Sequence, residues 1–176
     1  MLWLQSLNLD YAFWLTISAI FVLLLLSAFF SGSETALTAA SRGKLQTQAD
    51  KGSRGASRAL SITEDNERLI GSVLLGNNLV NILATSLATA LFTKLVGESS
   101  VALATLVMTV LVLIFAEVLP KTYAITNAER AAASVSAPIA LLVTILDPIV
   151  SSVRKLVRGI LWLFGVRTSA DEPILA

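Results

Sequence analysis

The sequence predicts an all-α membrane protein with three transmembrane helices and an amphipathic helix on the membrane surface. Of its 176 residues, 55% are hydrophobic and 14% are charged, and the mean hydropathy is +0.78. A soluble domain usually carries about 25% charged residues. Long uncharged runs reach the roughly 20 residues that a helix needs to cross a bilayer. Composition and run length together therefore exclude an ordinary soluble domain.

The predicted core, residues 1–125, contains three spans at about 11–40, 69–93 and 101–125. The connection 41–68 is rich in Arg and Lys, so the positive-inside rule places it in the cytoplasm and the amino terminus outside. Glycines in this loop limit any helix to short pieces. Ser61-Ile62-Thr63-Glu64 has the pattern of a capping box that opens the second span.

A juxtamembrane region is predicted at 126–166. Residues 131–146 are apolar but short and contain Pro138, which favours a re-entrant or interfacial segment over a fourth crossing. Asp147-Pro148 is expected to break this segment. The following stretch, 149–164, alternates apolar and basic faces and is expected to lie on the cytoplasmic surface. Residues 167–176 are interpreted as the start of a linker.

Cysteine and histidine are both missing from the sequence. This excludes disulfides, thiolate or imidazole metal sites, and catalysis that depends on histidine. A metal ion would have to be bound by oxygen atoms. No pattern typical of nucleic-acid binding is present.

The third span ends in an unusual element, Phe115-Ala116-Glu117-Val118-Leu119-Pro120-Lys121. A carboxylate inside a span costs at least about 2.5–3.5 kcal/mol and indicates a functional site. With α-helical pairing, Pro120 leaves the carbonyl of Ala116 without its hydrogen-bond donor, so two hard oxygens lie on one turn. The alternative is a proline kink with Glu117 and Lys121 paired one turn apart.

The other two spans carry neutral polar residues. At 100° per residue Ser27, Ser31 and Glu34 share one face of the first span, and Asn77 and Asn81 share a face of the second. Membrane serines often bond their own helix, and membrane asparagines often clamp neighbouring helices, so either group alone has a structural explanation.

The polar groups of the three spans are predicted to lie at a similar depth in the membrane. Counted from the predicted cytoplasmic ends, the serines, the asparagines and Glu117 all lie roughly 12–20 Å into the membrane, near its midplane. Unrelated structural roles would scatter these groups in depth. The coincidence predicts a shared ion or substrate site. Lys121 lies closer to the cytoplasmic end and is expected to extend to the interface instead of neutralising Glu117.

Three motifs carry a family resemblance: Ser31-Gly-Ser-Glu-Thr-Ala-Leu37, Leu75-Gly-Asn-Asn-Leu-Val-Asn81 and Ile114-Phe-Ala-Glu-Val-Leu-Pro-Lys121. In this order and spacing they resemble the transmembrane domain of the CorC/CNNM (cyclin M-like) family. The resemblance implies three spans with a juxtamembrane belt helix, a homodimer in the cell membrane, and Mg²⁺ export coupled to Na⁺ entry. It also implies cytoplasmic CBS-pair domains further along the chain.

Carried over residue by residue, the resemblance implies cation ligands at Ser27, Ser31, Asn81 and Glu117, with Asn77 and the Ala116 carbonyl as weaker candidates. Hydroxyl, amide, carbonyl and carboxylate oxygens suit Mg²⁺, a hard ion that prefers octahedral oxygen ligands. No catalytic residue or enzymatic activity is expected.

Two alternatives to transport remain. One is a membrane sensor or scaffold that binds Mg²⁺ without moving it. The other is a Ser-Lys hydrolase, which would need Ser27 or Ser31 within hydrogen-bond reach of Lys121; the depth estimate disfavours it.

Overall fold

The computed structural model describes residues 2–97 and 101–164, with side chains from Tyr11 onward. Within these ranges all regular structure is helical, which confirms the all-α prediction for the part of the chain described. The elements are α1 (Leu2–Ala39), α2 (Arg42–Asp50), α3 (Arg54–Ile62), α4 (Asn66–Val96), α5 (Val101–Leu111), a π-helical segment (Val112–Val118), α6 (Leu119–Thr126) and α7 (Ala128–Leu163).

Within the described part of the chain, four helical stretches are long and apolar enough to cross a membrane: Tyr11–Ala39, Asn66–Val96, Val101–Thr126 and Ala128–Leu163. The first three lie where the apolar runs predict them. The fourth stretch is α7, which makes one more candidate crossing than the three predicted from the sequence. Large apolar side chains are exposed along all of these helices, as expected for surfaces that face lipid.

The predicted break at Asp147-Pro148 is wrong, because α7 continues through Pro138 and Pro148 as one helix of 36 residues. The segment at 131–146 is therefore its first half and not a separate element. The physical reason is a buried stripe that passes both prolines, while the prolines themselves are exposed on the other side. This stripe has helical spacing and consists of Ala132, Ser136, Ile139, Val143 and Val150.

The start of α4 also differs from the prediction. Ser61 belongs to α3, which ends at Ile62, so the proposed capping box does not form. The cap is Asp65 instead, whose Oδ1 accepts a hydrogen bond from the Arg68 backbone N–H at 2.9 Å. An aspartate bonded to the third residue beyond it is a favourable N-cap. As predicted, the glycine-rich loop holds only two short helices, α2 and α3.

Most of the buried apolar residues lie at one end of the bundle, here called the loop end, where α2 and α3 connect α1 to α4. Leu45 of α2 and Leu69 of α4 are buried there together with residues from α1, α3, α6 and α7. A smaller cluster lies in the opposite half around Ala84, Ala88 and Met108. The tightest helix packing of the fold is therefore at the loop end.

Three ion pairs join α7 to residues at the loop end. Lys44 Nζ lies 3.1 Å from Glu129 Oε1 near the start of α7. Further along α7, Arg68 Nε lies 2.6 Å from Asp147 Oδ1, and Arg154 Nη1 lies 3.4 Å from Asp65 Oδ2. The partners on α7 are separated by up to 25 residues, about 38 Å of helix, yet all their counterparts lie between Lys44 and Arg68.

Two glycines allow α1 to approach the elements that carry Asn77 and Glu117. A Cβ at Gly32 would lie 3.3 Å from Pro120 Cβ, directly beyond the π segment. A Cβ at Gly76 would lie 3.3 Å from the ring of Phe30 on α1. Both distances are tighter than ordinary contact between carbons. Glycine at these positions therefore sets how closely α1 packs on α4 and on the third span.

Candidate cation site

On α1, the small polar residues face inward. Ser27 and Ser31 are both completely buried, one helical turn apart, as the predicted stripe requires. Ser33 is also buried, although it lies off this stripe, and Glu34 is only partly buried. A buried hydroxyl needs a hydrogen-bond partner or another polar ligand, because desolvating it alone is unfavourable.

On α4, the three asparagines separate as their helical spacing predicts. Asn77 is buried, with 7% of its surface exposed, Asn81 is partly buried, and Asn78 is exposed. Asn77 and Asn81 are one turn apart, whereas Asn78 points about 100° away from Asn77. Asn77 and Asn81 therefore face the interior of the bundle.

On the third span, Glu117 lies within the π segment Val112–Val118. Here the Leu119 N–H bonds to the Ile114 carbonyl, five residues back instead of four. Such one-turn π distortions inside α-helices occur often at functional sites. Glu117 is partly buried, with 31% of its side chain exposed.

Hydrogen bonds connect these three helices in one chain of contacts. Ser27 Oγ donates to Asn77 Oδ1 at 2.8 Å, and Asn77 Nδ2 donates to Glu117 Oε1 at 3.4 Å. Asn77 thus uses both ends of its amide to bridge a serine on α1 and a carboxylate on the π segment. The structure brings together side chains that lie 40 and 50 residues apart in sequence.

The expected position of Lys121 at the interface, away from Glu117, is wrong. Lys121 Nζ lies 3.4 Å from Glu117 Oε2, and 42% of the lysine side chain remains exposed. The ion pair forms because the two residues are one turn apart on the same side of the helix. The carboxylate therefore has Asn77 on one oxygen and Lys121 on the other.

Some of the buried polar atoms have no hydrogen-bond partner among the described residues. They include Ser31 Oγ, Ser33 Oγ and Asn81 Oδ1. Native structures contain few such atoms, and each one suggests strain, a catalytic role or a ligand. All three are oxygen atoms, which can act as ligands of a hard cation.

A cavity of about 320 Å³ lies beside Glu117, between α4 and the third span. Its polar lining includes Asn81, Thr85, Thr105 and Thr109. The hydroxyls of Thr105 and Thr109 each donate to a carbonyl four residues back, which leaves their oxygen lone pairs free. The cavity is open to the surface, and apolar side chains, Met108, Val112 and Leu113, complete its lining.

The electrostatics of the site are set by one carboxylate. Among the described residues, no group of three or more Asp, Glu, His or Cys side chains could hold a metal ion. Apart from Lys121, which pairs with it, Glu117 is accompanied by neutral hydroxyls and amides, so a divalent ion bound there would retain a net positive charge. Such a site favours reversible binding over permanent retention.

The π segment changes the argument for the Ala116 carbonyl. The Leu119 N–H bonds to the Ile114 carbonyl, and the next residue, Pro120, has no N–H to offer to a later carbonyl. The regular backbone pairing is therefore interrupted just after Ile114. Ala116 itself is completely buried, and its carbonyl remains a predicted ligand.

The match to a known family is extensive. Residues 18–176 match the family profile of the cyclin M transmembrane N-terminal domain, CNNM. The chain belongs to the CNNM family. This confirms the resemblance inferred from the three motifs, and together with the apolar helices it identifies a multi-pass membrane protein.

Curated relatives of this CNNM domain come from bacteria and plants. It is 40% identical over 143 residues to the UPF0053 inner membrane protein YfjD of Escherichia coli, covering 81% of this chain and 33% of that protein. A UPF0053 protein of Haemophilus influenzae is 31% identical over 164 residues, covering 91% and 39%. A chloroplastic DUF21 domain-containing protein of Arabidopsis thaliana is 41% identical over 153 residues, covering 86% and 23%. The chain thus spans well under half the length of these relatives.

Sequence reasoning missed two features of the CNNM domain's site. The π segment has no clear signal beyond Pro120, which indicated only a distortion. Ser33 could have been noticed from the Ser-Gly-Ser run, since Gly32 marks a close helix contact. A clamp between helices was the alternative interpretation of the asparagines, and Asn77 forms one, although its partners Ser27 and Glu117 are not visible in helical spacing.

Proposed function

We propose that this CNNM domain transports Mg²⁺ across a membrane through a cation site at Glu117. The observation that carries the proposal is the joining of Ser27, Asn77 and Glu117 from three separate helices, beside a cavity that Asn81 and Glu117 help to line. Ser27, Ser31, Asn81 and Glu117 are the proposed ligands, with Asn77 and the Ala116 carbonyl as further candidates. The unpartnered oxygens of Ser31 and Asn81 support this ligand set.

The all-oxygen donor set favours Mg²⁺ over softer metals, which prefer sulfur or nitrogen. The site has a single carboxylate, and this low negative charge favours passage of the ion over permanent storage. Export as the direction and Na⁺ as the coupling ion follow from the family resemblance and are part of the proposal. A membrane sensor that binds Mg²⁺ without moving it is the second candidate, since binding and transport use the same ligands.

The proposed topology has three crossings in the cell membrane, with the amino terminus outside and the loop end in the cytoplasm. Ion pairs near both ends of α7 reach residues of the loop end, between Lys44 and Arg68. A helix perpendicular to the membrane could not keep both contacts at one surface. We therefore propose that α7 lies along the cytoplasmic side as a belt helix and does not form a fourth crossing.

The topology is testable because the chain contains no cysteine. Single cysteines at Arg130 and Arg158, near the two ends of α7, should react with an impermeant thiol reagent from the same side as a cysteine at Ser57. A cysteine at Lys94 should react from the opposite side. Labelling of positions 130 and 158 from opposite sides would show that α7 crosses the membrane.

Assembly as a homodimer is also proposed, since small residues on the spans permit close helix approach and two-fold pairs are the commonest closed assemblies. The mass of the purified protein in detergent tests this.

CBS-pair domains elsewhere in the full-length protein are the proposed cytoplasmic partners of the belt helix. No enzymatic activity is proposed: the Ser27 hydroxyl donates to Asn77 and the Lys121 ammonium pairs with Glu117.

Mg²⁺ binding by calorimetry, combined with Mg²⁺ flux in proteoliposomes, tests the proposed function. Glu117→Gln should weaken binding on the order of 100-fold or more, because it removes the charged ligand. Ser31→Ala and Asn81→Ala should have intermediate effects, and Ser27→Ala the smallest, because water can replace a neutral ligand.

Glu129→Gln is the matched control, since Glu129 is paired with Lys44 at the loop end, away from the site. It should bind Mg²⁺ like the wild type. Unchanged affinity in a folded Glu117→Gln protein would remove Glu117 from the ligand set. Binding without any flux would favour the sensor.

A further inference from the structure

We propose that Lys121 is an internal counter-ion, which occupies the Glu117 carboxylate when no cation is bound and competes with the transported ion for it. This inference rests on the proposed function and concerns how the same site is emptied and reset. It assigns a functional role to a residue that the ligand set does not include.

The first support is that the protein itself contacts both oxygens of the carboxylate. Glu117 Oε1 accepts from Asn77 Nδ2, and Glu117 Oε2 faces Lys121 Nζ. A carboxylate has about four lone-pair sites, so a neutral donor such as Asn77 leaves room for a cation on it. Lys121 carries the positive charge, so its ammonium and the cation repel each other and cannot share the carboxylate closely.

The second support is the length of both contacts. Each measures 3.4 Å between donor and acceptor, whereas charge-assisted N–H···O bonds usually measure about 2.7–2.9 Å. Long contacts of this kind are weak. The carboxylate is therefore neutralised without being held tightly, which suits a partner that must leave whenever the cation arrives.

The third support is an alternative place for the lysine. Lys121 is 42% exposed and lies five residues before Thr126, where α6 ends at the loop end. That distance is about 8 Å of helix, which a lysine side chain can cover by extending toward the interface. In the proposed cycle, Lys121 moves from Glu117, where it lies in the structure, to the membrane surface when the cation binds.

The consequence for transport is a site whose charge stays balanced through the cycle. A bare carboxylate at mid-membrane is unfavourable, so a transporter must neutralise Glu117 once the ion has left. With Lys121 the empty site carries no net charge. Lys121 should therefore weaken binding of the cation. It should also speed release of the cation and the return of the empty transporter to the state that binds the next ion.

The experiment compares Mg²⁺ affinity and flux for Lys121→Met with the wild type. Without the competing ammonium, Mg²⁺ should bind about 10-fold more tightly, and the maximal flux should fall. A structural role alone would lower stability without tightening binding, so thermal unfolding is measured in parallel. Lys121→Arg, which keeps the charge, should retain affinity close to that of the wild type.

Lys44→Met is the matched control, because it also removes a lysine that pairs with a glutamate, Glu129. It should leave Mg²⁺ affinity unchanged. In a Glu117→Gln background, Lys121→Met should no longer tighten binding, since the ammonium then has no carboxylate to occupy. If Lys121→Met does not fold, Lys121→Gln carries the same expectation.

The outcomes separate this inference from the proposed function. Unchanged or weaker binding in folded Lys121→Met, with normal binding in the wild type, would overturn the counter-ion role and leave the cation site in place. A folded wild-type protein that binds no Mg²⁺ would overturn both.

Discussion

The middle of the bundle and its loop end both carry polar contacts between helices, but the contacts differ in kind. In the middle, the Glu117 carboxylate accepts from the neutral amide of Asn77, which itself accepts from the buried Ser27, while Lys121 pairs with Glu117 within the third span. At the loop end, opposite charges meet in pairs, such as Arg68 with Asp147, where each side chain is more than a third exposed. The same interaction type, a polar contact between helices, thus occurs in two very different surroundings.

Under the proposed function, the contacts in the middle belong to the cation site and the ion pairs at the loop end hold α7 in place. Exposed ion pairs are worth about 0–1 kcal/mol each because water and salt screen them. They align α7 with the loop end without demanding a ligand. Buried polar groups without enough partners are costly and are retained where they bind something. Mutations in the two regions should therefore have unequal effects.

The largest effect after loss of Glu117 is expected for Asn77→Leu. Leucine cannot accept the Ser27 hydrogen bond or donate to Glu117, so a buried hydroxyl loses its partner. We expect a loss of about 1–2 kcal/mol in stability and at least about 10-fold weaker Mg²⁺ binding. Thermal unfolding in detergent and calorimetry measure the two effects. Asn78→Leu, at the exposed neighbouring position, should change neither; equal effects at both positions would contradict the bridging role of Asn77.

A smaller effect on Mg²⁺ binding is expected for Gly32→Ala, which tests whether the site depends on close packing of α1. The added methyl group would lie 3.3 Å from Pro120 Cβ, so α1 or the third span must shift slightly. Overpacking of this kind costs about 1–3 kcal/mol, and Mg²⁺ binding should weaken as Ser27 and Ser31 move. Gly159→Ala is the control, because nothing lies within 4 Å of its added Cβ. If Gly32→Ala is as stable as Gly159→Ala, the contact at Pro120 does not position the site.

The smallest effect is expected for Asp147→Asn at the loop end. Its ion pair with Arg68 is more than a third exposed, so stability should fall by no more than about 1 kcal/mol. Mg²⁺ affinity should not change. Raising the salt to 1 M, where the screening length is about 3 Å, should reduce the difference from the wild type further. A large loss of Mg²⁺ binding would show that the loop end takes part in the site.

Local patterns in the sequence predicted the helices well. Uncharged runs predicted where α1, α4 and the third span lie, and helical spacing correctly separated Asn77 from the exposed Asn78. Local sequence rules were less reliable at the ends of helices and at prolines. Asp65 was overlooked as the cap of α4, and Pro148 was expected to end a helix that in fact continues. In α7 the packing of a continuous buried stripe outweighs the hydrogen bond lost at each proline.

The sequence by itself determined the helical membrane class and the CNNM family, because these depend on composition, periodicity and the order of three motifs. The candidate cation ligands are a prediction that the family resemblance implies. Only the tertiary structure decided how those residues are connected: Ser27 to Asn77, Asn77 to Glu117, and Glu117 to Lys121. The reason is that helical spacing gives the direction of a side chain on its own helix. Which partner it meets depends on how the helices pack, and here Gly32, Gly76 and the π segment set that packing.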